Sequence, residues 1–113
     1  MKATIYHNNR CSNSRGALER LRAAGIEPEI IDYLANPPSR AQIAALIGAA
    51  GLSVREAMRS KEAVYSELGL ADASDAQLLD AIAAHPVLLN RPFVVTPKGT
   101  RLCRPPELVD QLL

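Results

Sequence analysis

The residues most able to do chemistry lie in a short polar stretch that runs from Tyr6 to Arg15 and contains Cys11. The stretch separates a short apolar run from a run with helical spacing, so we expect the cysteine at a helix N-terminus. There, unpaired backbone N–H groups and the positive end of the helix dipole favour a thiolate. Such a thiol is a nucleophile at neutral pH. We therefore interpret the stretch as an active-site loop.

The neighbours of Cys11 favour a reactive cysteine over one that only packs. Arg10, Arg15 and His7 add positive potential, and polar side chains after the cysteine can donate hydrogen bonds to an oxyanion in the same turn. Those side chains are Ser12, Asn13 and Ser14. For His7 two interpretations remain open: it helps to hold the thiolate, or it is a loop histidine bonded only to the backbone.

The composition indicates one soluble globular domain over residues 1–113, with 48% hydrophobic and 22% charged residues. The formal net charge of +1 gives no reason to expect nucleic acid or an anionic membrane as a partner. No run approaches the roughly 20 apolar residues of a membrane span. The first residues lack the apolar core of a signal peptide. We expect a monomeric cytoplasmic protein.

The cations and cysteines narrow the chemistry further. Ten arginines stand against three lysines, and guanidinium groups bind oxyanions in a bidentate way that ammonium groups cannot. Cys11 and Cys103 do not form a disulfide framework, and no C-x-x-C or H-x-x-x-H spacing indicates a metal site. We expect no bound metal or organic cofactor, and we interpret Cys103 as structural.

Local patterns in the first third predict a strand, a helix and a second strand. Residues 3–6 and 29–33 are β-branched and aromatic, and residues 12–24 have helical spacing. Gly25 is placed to end the helix. A strand, a helix and a strand in this order form a βαβ unit, which predicts parallel strands.

The middle of the chain is predicted to be helical. Ser39-x-x-Gln42 and Ser74-x-x-Gln77 are capping-box patterns before apolar runs, and Ser53-x-x-Glu56 starts a shorter helix. A further helical run covers residues 63–68. Together these segments predict a helical insertion over about residues 39–85.

The last part of the chain predicts a hairpin and a final helix. Residues 92–96 and 100–103 are strand-like around the turn Pro97-Lys98-Gly99, and Pro105-Pro106 opens the helix. The order β-α-β, helices, β-β-α is that of a thioredoxin-like fold. We therefore predict an α/β protein with a mixed four-stranded sheet and a helical insertion between the βαβ and ββα halves.

Three separated motifs carry a resemblance to a known family: His7-Asn8-x-x-Cys11-x-x-Ser14-Arg15, Asn90-Arg91-Pro92 and Leu102-Cys103-Arg104-Pro105. Their order and spacing resemble the glutaredoxin-coupled arsenate reductases over essentially the whole chain. Asn9 stands where that family commonly has proline. The resemblance implies an oxidoreductase of arsenic resistance with glutathione as co-substrate and glutaredoxin as partner.

The resemblance also implies roles for individual residues. Cys11 would form the arsenate adduct, glutathione would reduce that adduct, and glutaredoxin would resolve the mixed disulfide. An arginine triad would hold the oxyanion, with Arg55 as an alternative to its first member one helical turn away. The triad is Arg59, Arg91 and Arg104, and the supporting residues are His7, Ser14, Arg15 and Pro92.

Two other functions remain open at this stage. One is a glutathione-linked thiol oxidoreductase of the same fold that acts on another substrate. The other is a non-enzymatic regulator that binds RNA polymerase. Such regulators often carry a C-x-x-C switch, and Ser14 at the second position argues against this function.

Overall fold

The computed structural model describes residues 1–113, which form two compact units. The sheet unit comprises residues 1–36 and 91–113, and the helical unit comprises residues 37–90. The helical unit extends beyond the predicted insertion at both ends, because Pro37-Pro38 and a short turn after His85 belong to it. The prediction of a single domain stays a prediction.

The sheet unit contains a four-stranded mixed sheet, which confirms the predicted sheet. The strands are β1 (Thr4–His7), β2 (Glu29–Asp32), β3 (Phe93–Thr96) and β4 (Gly99–Leu102), in the spatial order β2-β1-β3-β4. β1 pairs with β2 in parallel, as the βαβ pattern predicts. The β1–β3 and β3–β4 pairs are antiparallel.

Helix α1 (Ser12–Ala23) connects β1 to β2. Its buried residues fall on one face and include Ala17, Leu18 and Leu21. The helix ends one residue before the predicted end, and Gly25 follows with a φ of +80°, which glycine adopts without the strain of a Cβ.

Several predicted strand boundaries are wrong by one residue, since β1 is Thr4–His7, β3 starts at Phe93 and β4 ends at Leu102. Two of these errors, at the end of the second strand and at the hairpin turn, have a local reason. The second strand ends at Asp32, because the carboxylate of Asp32 accepts hydrogen bonds from the backbone N–H groups of Leu34 and Ala35 and turns the chain. The predicted turn residue Gly99 belongs to β4 and pairs with Thr96. Its φ of +144° suits glycine, and only Pro97 and Lys98 remain in the turn.

The predicted last helix is a 3₁₀ helix, Pro106–Leu112, with proline at its start. Its inner side chains join the core of the sheet unit. That core consists of Ala3, Ile5, Ala17, Leu18, Leu21, Val94, Cys103, Val109 and Leu112. The buried hydroxyl of Thr96 donates to the Leu112 carbonyl at 2.8 Å, which fixes the 3₁₀ helix to β3.

The helical unit contains α2 (Arg40–Ala49), α3 (Ala63–Glu67) and α4 (Asp75–Ala84). Both predicted capping boxes are present: the hydroxyls of Ser39 and Ser74 accept from the backbones of Gln42 and Gln77, whose side chains bond back. α2 packs against α4 through buried apolar residues. These are Ile43, Leu46, Ile47, Leu78, Ala81 and Ile82.

Three short 3₁₀ helices complete the helical unit: Arg55–Ala57, Leu70–Asp72 and Pro86–Leu88. The first follows the predicted Ser53 cap, whose N–H and hydroxyl hold the pKa of the Glu56 carboxyl below its usual range. An isolated antiparallel bridge joins Met58 to Leu89. No helix in the chain has the length and apolar character needed to cross a membrane.

Candidate active site

The register of the sheet brings three functional segments of the sheet unit to one edge. Tyr6 of β1 pairs with Phe93 at the start of β3, and Phe93 pairs with Leu102 at the end of β4. The segments that follow β1, precede β3 and follow β4 therefore meet at this edge. They carry Cys11, Arg91 and Arg104 respectively.

Cys11 is the N-cap residue of α1, as the sequence predicts. Its backbone N–H donates to the Asn8 carbonyl at 3.0 Å, and its carbonyl accepts from the backbone of Arg15 at 3.0 Å. Only 7% of the residue is exposed. The Cys11 side chain makes no capping hydrogen bond to the helix N–H groups.

The polar neighbour of the sulfur is Arg104. Its Nη1 lies 3.7 Å from Cys11 Sγ and donates to the Arg91 carbonyl at 3.0 Å. The carbonyl fixes the nitrogen next to the sulfur, although Arg104 itself is solvent-exposed. A cation in this position stabilises a thiolate and can contact an oxyanion bound beside it.

Arg91 and Pro92 lie at the same edge. The Arg91–Pro92 peptide bond is cis, and Pro92 is buried. The Nε of Arg91 is also buried. Backbone hydrogen bonding from Cys103 N–H to the Pro92 carbonyl at 2.8 Å continues the β3–β4 pairing to this point. The structure thus places the predicted residues Arg91 and Pro92 in the segment that anchors Arg104.

Ser14 and His7 form a buried pair behind the loop. Ser14 Oγ and His7 Nδ1 are 2.7 Å apart, and the same hydroxyl accepts from the backbone N–H of Asn8 at 3.1 Å. The interpretation of His7 as a loop histidine bonded only to the backbone is wrong, because it ends β1 and its ring contacts a side chain. His7 precedes Cys11 and Ser14 follows it, so this hydrogen bond links the end of β1 to the first turn of α1.

Asn8 is a loop residue whose individual role sequence reasoning missed. Its carbonyl accepts from Cys11, its Oδ1 accepts from Arg10 N at 3.0 Å, and its N–H bonds Ser14. The sequence signal for this role is the asparagine itself, because asparagine side chains often accept a hydrogen bond from the backbone two residues later and so close a short turn. Arg15 Nη1 donates to the Asn9 carbonyl at 2.9 Å. The side chain of Arg15 therefore adds a positive charge next to the loop and also holds the loop backbone in place.

Cys103 lies in a different environment from Cys11. It is fully buried within the apolar core of the sheet unit. Its sulfur lies 3.7 Å from the Arg101 carbonyl, and burial raises the pKa of the thiol to about 12. Such a thiol is protonated at neutral pH, in agreement with its predicted structural role.

The helical unit distinguishes the two arginines that sequence left as alternatives. Arg55 uses Nη1 for the Tyr65 hydroxyl at 2.7 Å and Nη2 for the Ala73 carbonyl at 3.0 Å. Arg59 uses Nε for Glu62 at 3.0 Å, and its backbone N–H donates to the Leu88 carbonyl at 2.8 Å. Arg55 thus braces its own unit, whereas the two terminal nitrogens of Arg59 are left for another partner.

No group of three or more histidine, cysteine or acidic side chains in the structure could hold a metal ion. The assembled groups are a thiol on the N-cap residue of α1, a guanidinium beside it and a loop rich in polar groups. This combination suits nucleophilic attack by sulfur on a tetrahedral oxyanion.

Comparisons with known proteins agree with this chemistry. The ArsC family pattern matches residues 6–112. An arsenate reductase of Rhizobium meliloti is 57% identical over 100% of this chain and 82% of its own length. One from Escherichia coli is 53% identical over 97% of this chain and 79% of its own length. A solved arsenate reductase from Vibrio cholerae has a TM-score of 0.95 at 44% identity, covering 100% of this chain and 98% of that one.

Proposed function

The chain belongs to the ArsC family, and we propose that it is an arsenate reductase that uses Cys11 as nucleophile and glutathione and glutaredoxin as electron donors. The similarity to arsenate reductases covers nearly the whole chain, both in sequence and in its thioredoxin-like fold. The observation that carries the proposal is the 3.7 Å approach of Arg104 Nη1 to Cys11 Sγ at the N-terminus of α1.

Charge explains why this contact matters. Arsenate is an anion at neutral pH, so an attacking thiolate brings two negative charges together. A guanidinium between them offsets the repulsion and can hold two arsenate oxygens in its planar fork. Its anchoring on the Arg91 carbonyl keeps the cation in place before substrate arrives, which is the condition for effective electrostatic stabilisation.

The proposed reaction balances with two thiols per arsenate. The sulfur of Cys11 forms a bond to arsenic, and one arsenate oxygen leaves as water after taking up protons. A glutathione thiolate then attacks the Cys11 sulfur, an S–S bond forms, and the S–As electron pair stays on arsenic. Arsenic(V) becomes arsenic(III) and leaves as arsenite, while the two sulfurs are oxidised. Glutaredoxin then reduces the Cys11–glutathione disulfide.

The need for an external thiol follows from the second cysteine. Ser14 occupies the position of a C-x-x-C partner, and Cys103 is a core residue whose pKa is raised to about 12. A protonated, buried thiol is a poor resolving nucleophile. Glutathione is abundant in the cytoplasm, where we propose that the protein acts as a monomeric single domain.

We propose that Arg59 and Arg91 join Arg104 in binding the oxyanion, as the family resemblance implies. Within the helical unit, Arg59 is preferred over Arg55 because the guanidinium of Arg55 is already bonded to Tyr65 and Ala73. Arg59→Gln should lower kcat/KM for arsenate about tenfold or more at unchanged thermal stability. Arg55→Gln should instead lower the unfolding temperature. If Arg55→Gln instead lowered kcat/KM and Arg59→Gln lowered only the unfolding temperature, Arg59 would not belong to the site.

A coupled assay tests the function directly. Arsenate-dependent NADPH oxidation is measured with glutathione, glutaredoxin and glutathione reductase, and a simple disulfide replaces arsenate in a parallel reaction. Turnover that depends on arsenate and on Cys11 supports the proposal. Turnover with the disulfide alone would indicate the general thiol oxidoreductase instead, and co-purification with RNA polymerase without turnover would indicate the regulator.

Electron flow is tested by intact-mass analysis after a single turnover. We expect Cys11 to carry one glutathione, and glutaredoxin to restore the free thiol faster than thioredoxin does. Peptide mapping locates the adduct, with Cys103→Ala as the matched control. Full turnover with thioredoxin in the absence of glutathione, or an accumulating Cys11–Cys103 disulfide, would contradict the proposed donor.

A further inference from the structure

Gly16, in the second turn of α1, lies against the first residue of the C-terminal 3₁₀ helix. A Cβ added at Gly16 would lie 3.1 Å from both Cβ and Cγ of Pro106. This separation is shorter than an ordinary van der Waals contact, so a side chain here would displace Pro106 by a few tenths of an ångström.

The glycine is not explained by helix formation, since glycine is a poor helix former compared with alanine. Gly48, inside α2, provides a contrast within the same chain. A Cβ at Gly48 would meet nothing within 4 Å. The two helical glycines share the same helical disadvantage, but only Gly16 permits a close approach of another segment.

The segments that meet at Gly16 and Pro106 carry the reactive sulfur and its cation. Cys11 caps the N-terminus of α1, and Arg104 is separated from Pro106 only by Pro105. Proline fixes φ, so the connection between Pro106 and Arg104 is stiff. We therefore expect a displacement of Pro106 to shift Arg104, whose Nη1 is 3.7 Å from Cys11 Sγ.

One turn further along, the same two elements are joined by charge. Arg20 lies four residues after Gly16, and Asp110 lies four residues after Pro106. Arg20 Nη1 and Asp110 Oδ2 are 2.8 Å apart, and Nη2 is 3.7 Å from Glu107. α1 and the 3₁₀ helix are thus in contact along at least one helical turn. The Gly16–Pro106 contact lies at the end of this interface that is nearer to Cys11.

We propose that Gly16 is a positioning residue for oxyanion capture: its missing side chain seats Pro106 on α1, and this fixes the Arg104 guanidinium beside the Cys11 thiol. The role concerns the arsenate site and so rests on the proposed function. The geometry that Gly16 sets can nevertheless be measured without arsenate.

Alkylation measures the position of Arg104 directly. Iodoacetate is an anion and iodoacetamide is neutral, so the ratio of their rates at Cys11 reports the nearby positive charge. The measurements use Cys103→Ala protein, with Arg104→Gln as the reference for a lost cation. We expect Gly16→Ala to lower the ratio about twofold to threefold and Gly16→Leu about tenfold, towards the reference value. Gly48→Ala and Gly48→Leu should leave the ratio unchanged.

A double-mutant cycle with Pro106→Gly separates positioning from general damage, because this substitution removes both contacting atoms. In the Pro106→Gly background, Gly16→Ala should no longer change the ratio. An undiminished effect of Gly16→Ala in that background, or a wild-type ratio equal to that of Arg104→Gln, would overturn the inference. So would a Gly16→Leu protein that stays folded with a wild-type ratio.

Steady-state kinetics with arsenate provide the second readout. We expect Gly16→Leu to raise KM about tenfold with a smaller change in kcat, and Gly48→Leu to change neither. A merely structural role would change the unfolding temperature without this split. If the wild-type protein did not reduce arsenate, the proposed function would fail while the alkylation ratio still decided the role of Gly16.

Discussion

The two cysteines differ more in their polar surroundings than in their burial. Cys11 is 7% exposed and Cys103 is fully buried, yet both belong to the sheet unit. Cys11 caps a helix and has the Arg104 guanidinium 3.7 Å from its sulfur. Cys103 packs in the apolar core, where burial raises the pKa of its thiol. Polar groups that reach a sulfur favour a nucleophile over a packing residue, and on this ground we propose these two roles for Cys11 and Cys103.

Replacing each sulfur tests the comparison with the largest expected effect. Cys11→Ser should lower arsenate reduction at least about a thousandfold, because serine is not ionised at neutral pH and cannot replace the thiolate. Cys103→Ala should keep kcat/KM within about twofold and lower only the free energy of unfolding, through a small cavity. The coupled NADPH assay and thermal unfolding measure the two effects. Activity lost in both variants would remove the distinction.

Each cysteine also has an arginine nearby, and only one should matter for catalysis. Arg104 contacts Cys11, whereas Arg101 lies on β4 and donates to Gln111. The charge of Arg101 lowers the pKa of Cys103 by less than burial raises it. Arg104→Gln should lower kcat/KM about a hundredfold, with partial recovery in Arg104→Lys because lysine lacks the bidentate fork. Arg101→Gln is the matched control and should keep wild-type kinetics. Full activity in Arg104→Lys would argue against bidentate binding.

Arg91 provides a further test, because its backbone and its side chain have separate roles next to Cys11. The Arg91 carbonyl holds Arg104 next to Cys11, and any residue at position 91 keeps that carbonyl. A loss in Arg91→Lys therefore reports the guanidinium itself, which we propose contacts the oxyanion. We expect kcat/KM to fall about tenfold, while the ratio of iodoacetate to iodoacetamide labelling at Cys11 changes less than in Arg104→Gln. Wild-type kinetics for Arg91→Lys would limit bidentate binding to Arg104.

Alkylation rates should separate the thiols by a smaller factor. At pH 7 we expect iodoacetamide to label Cys11 at least about tenfold faster than Cys103, since the Cys103 thiol is buried and protonated. Single-cysteine variants and mass spectrometry give the two rates. Labelling in denaturant should make the rates similar, which shows that the fold causes the difference. Faster labelling of Cys103 in the native protein would contradict the comparison.

A separate consequence of the raised Cys103 pKa concerns stability at high pH, outside the range in which the protein is assayed. The pKa of Cys103 is about 12 in the folded protein against an ordinary value of 9.0, so folding favours its neutral form. This contribution is fully present below pH 9 and is lost as the pH rises from 9 through about 12. Within that window, wild-type stability should fall by up to about 1.4 kcal/mol per pH unit more steeply than that of Cys103→Ala. Denaturant unfolding of both proteins measures the difference, and parallel curves would contradict it.

Local signals predicted most of the fold because their physical cause lies within a few residues. The Ser39 and Ser74 capping boxes require only a hydroxyl and an amide three positions apart, and both formed as predicted. Two of the boundary errors arose where one residue served two purposes. Asp32 continues the strand pattern but closes a turn with its own carboxylate, and Gly99 looks like a turn residue but pairs in β4.

The candidate site was predicted less completely. Cys11 could be identified from its position before a helix, and Arg91 and Arg104 only through a resemblance that spans the chain. The side chains of His7 and Ser14 form a hydrogen bond, and Asn8 makes three hydrogen bonds within the loop. These bonds depend on how β1 and α1 approach each other. No spacing rule contains that approach, because it results from packing of both elements against the core.

By itself, the sequence determined the element order, the parallel βαβ half and the helix caps, since these depend on neighbouring residues. Side-chain chemistry and position also indicated Cys11 as the candidate nucleophile. The tertiary structure decided which arginine of the sheet unit reaches the sulfur, which cysteine is buried in the apolar core, and how closely Pro106 approaches α1 at Gly16. Each of these depends on contacts between segments far apart in the chain. Arg104 reaches Cys11 only because antiparallel pairing returns the end of β4 to the end of β1.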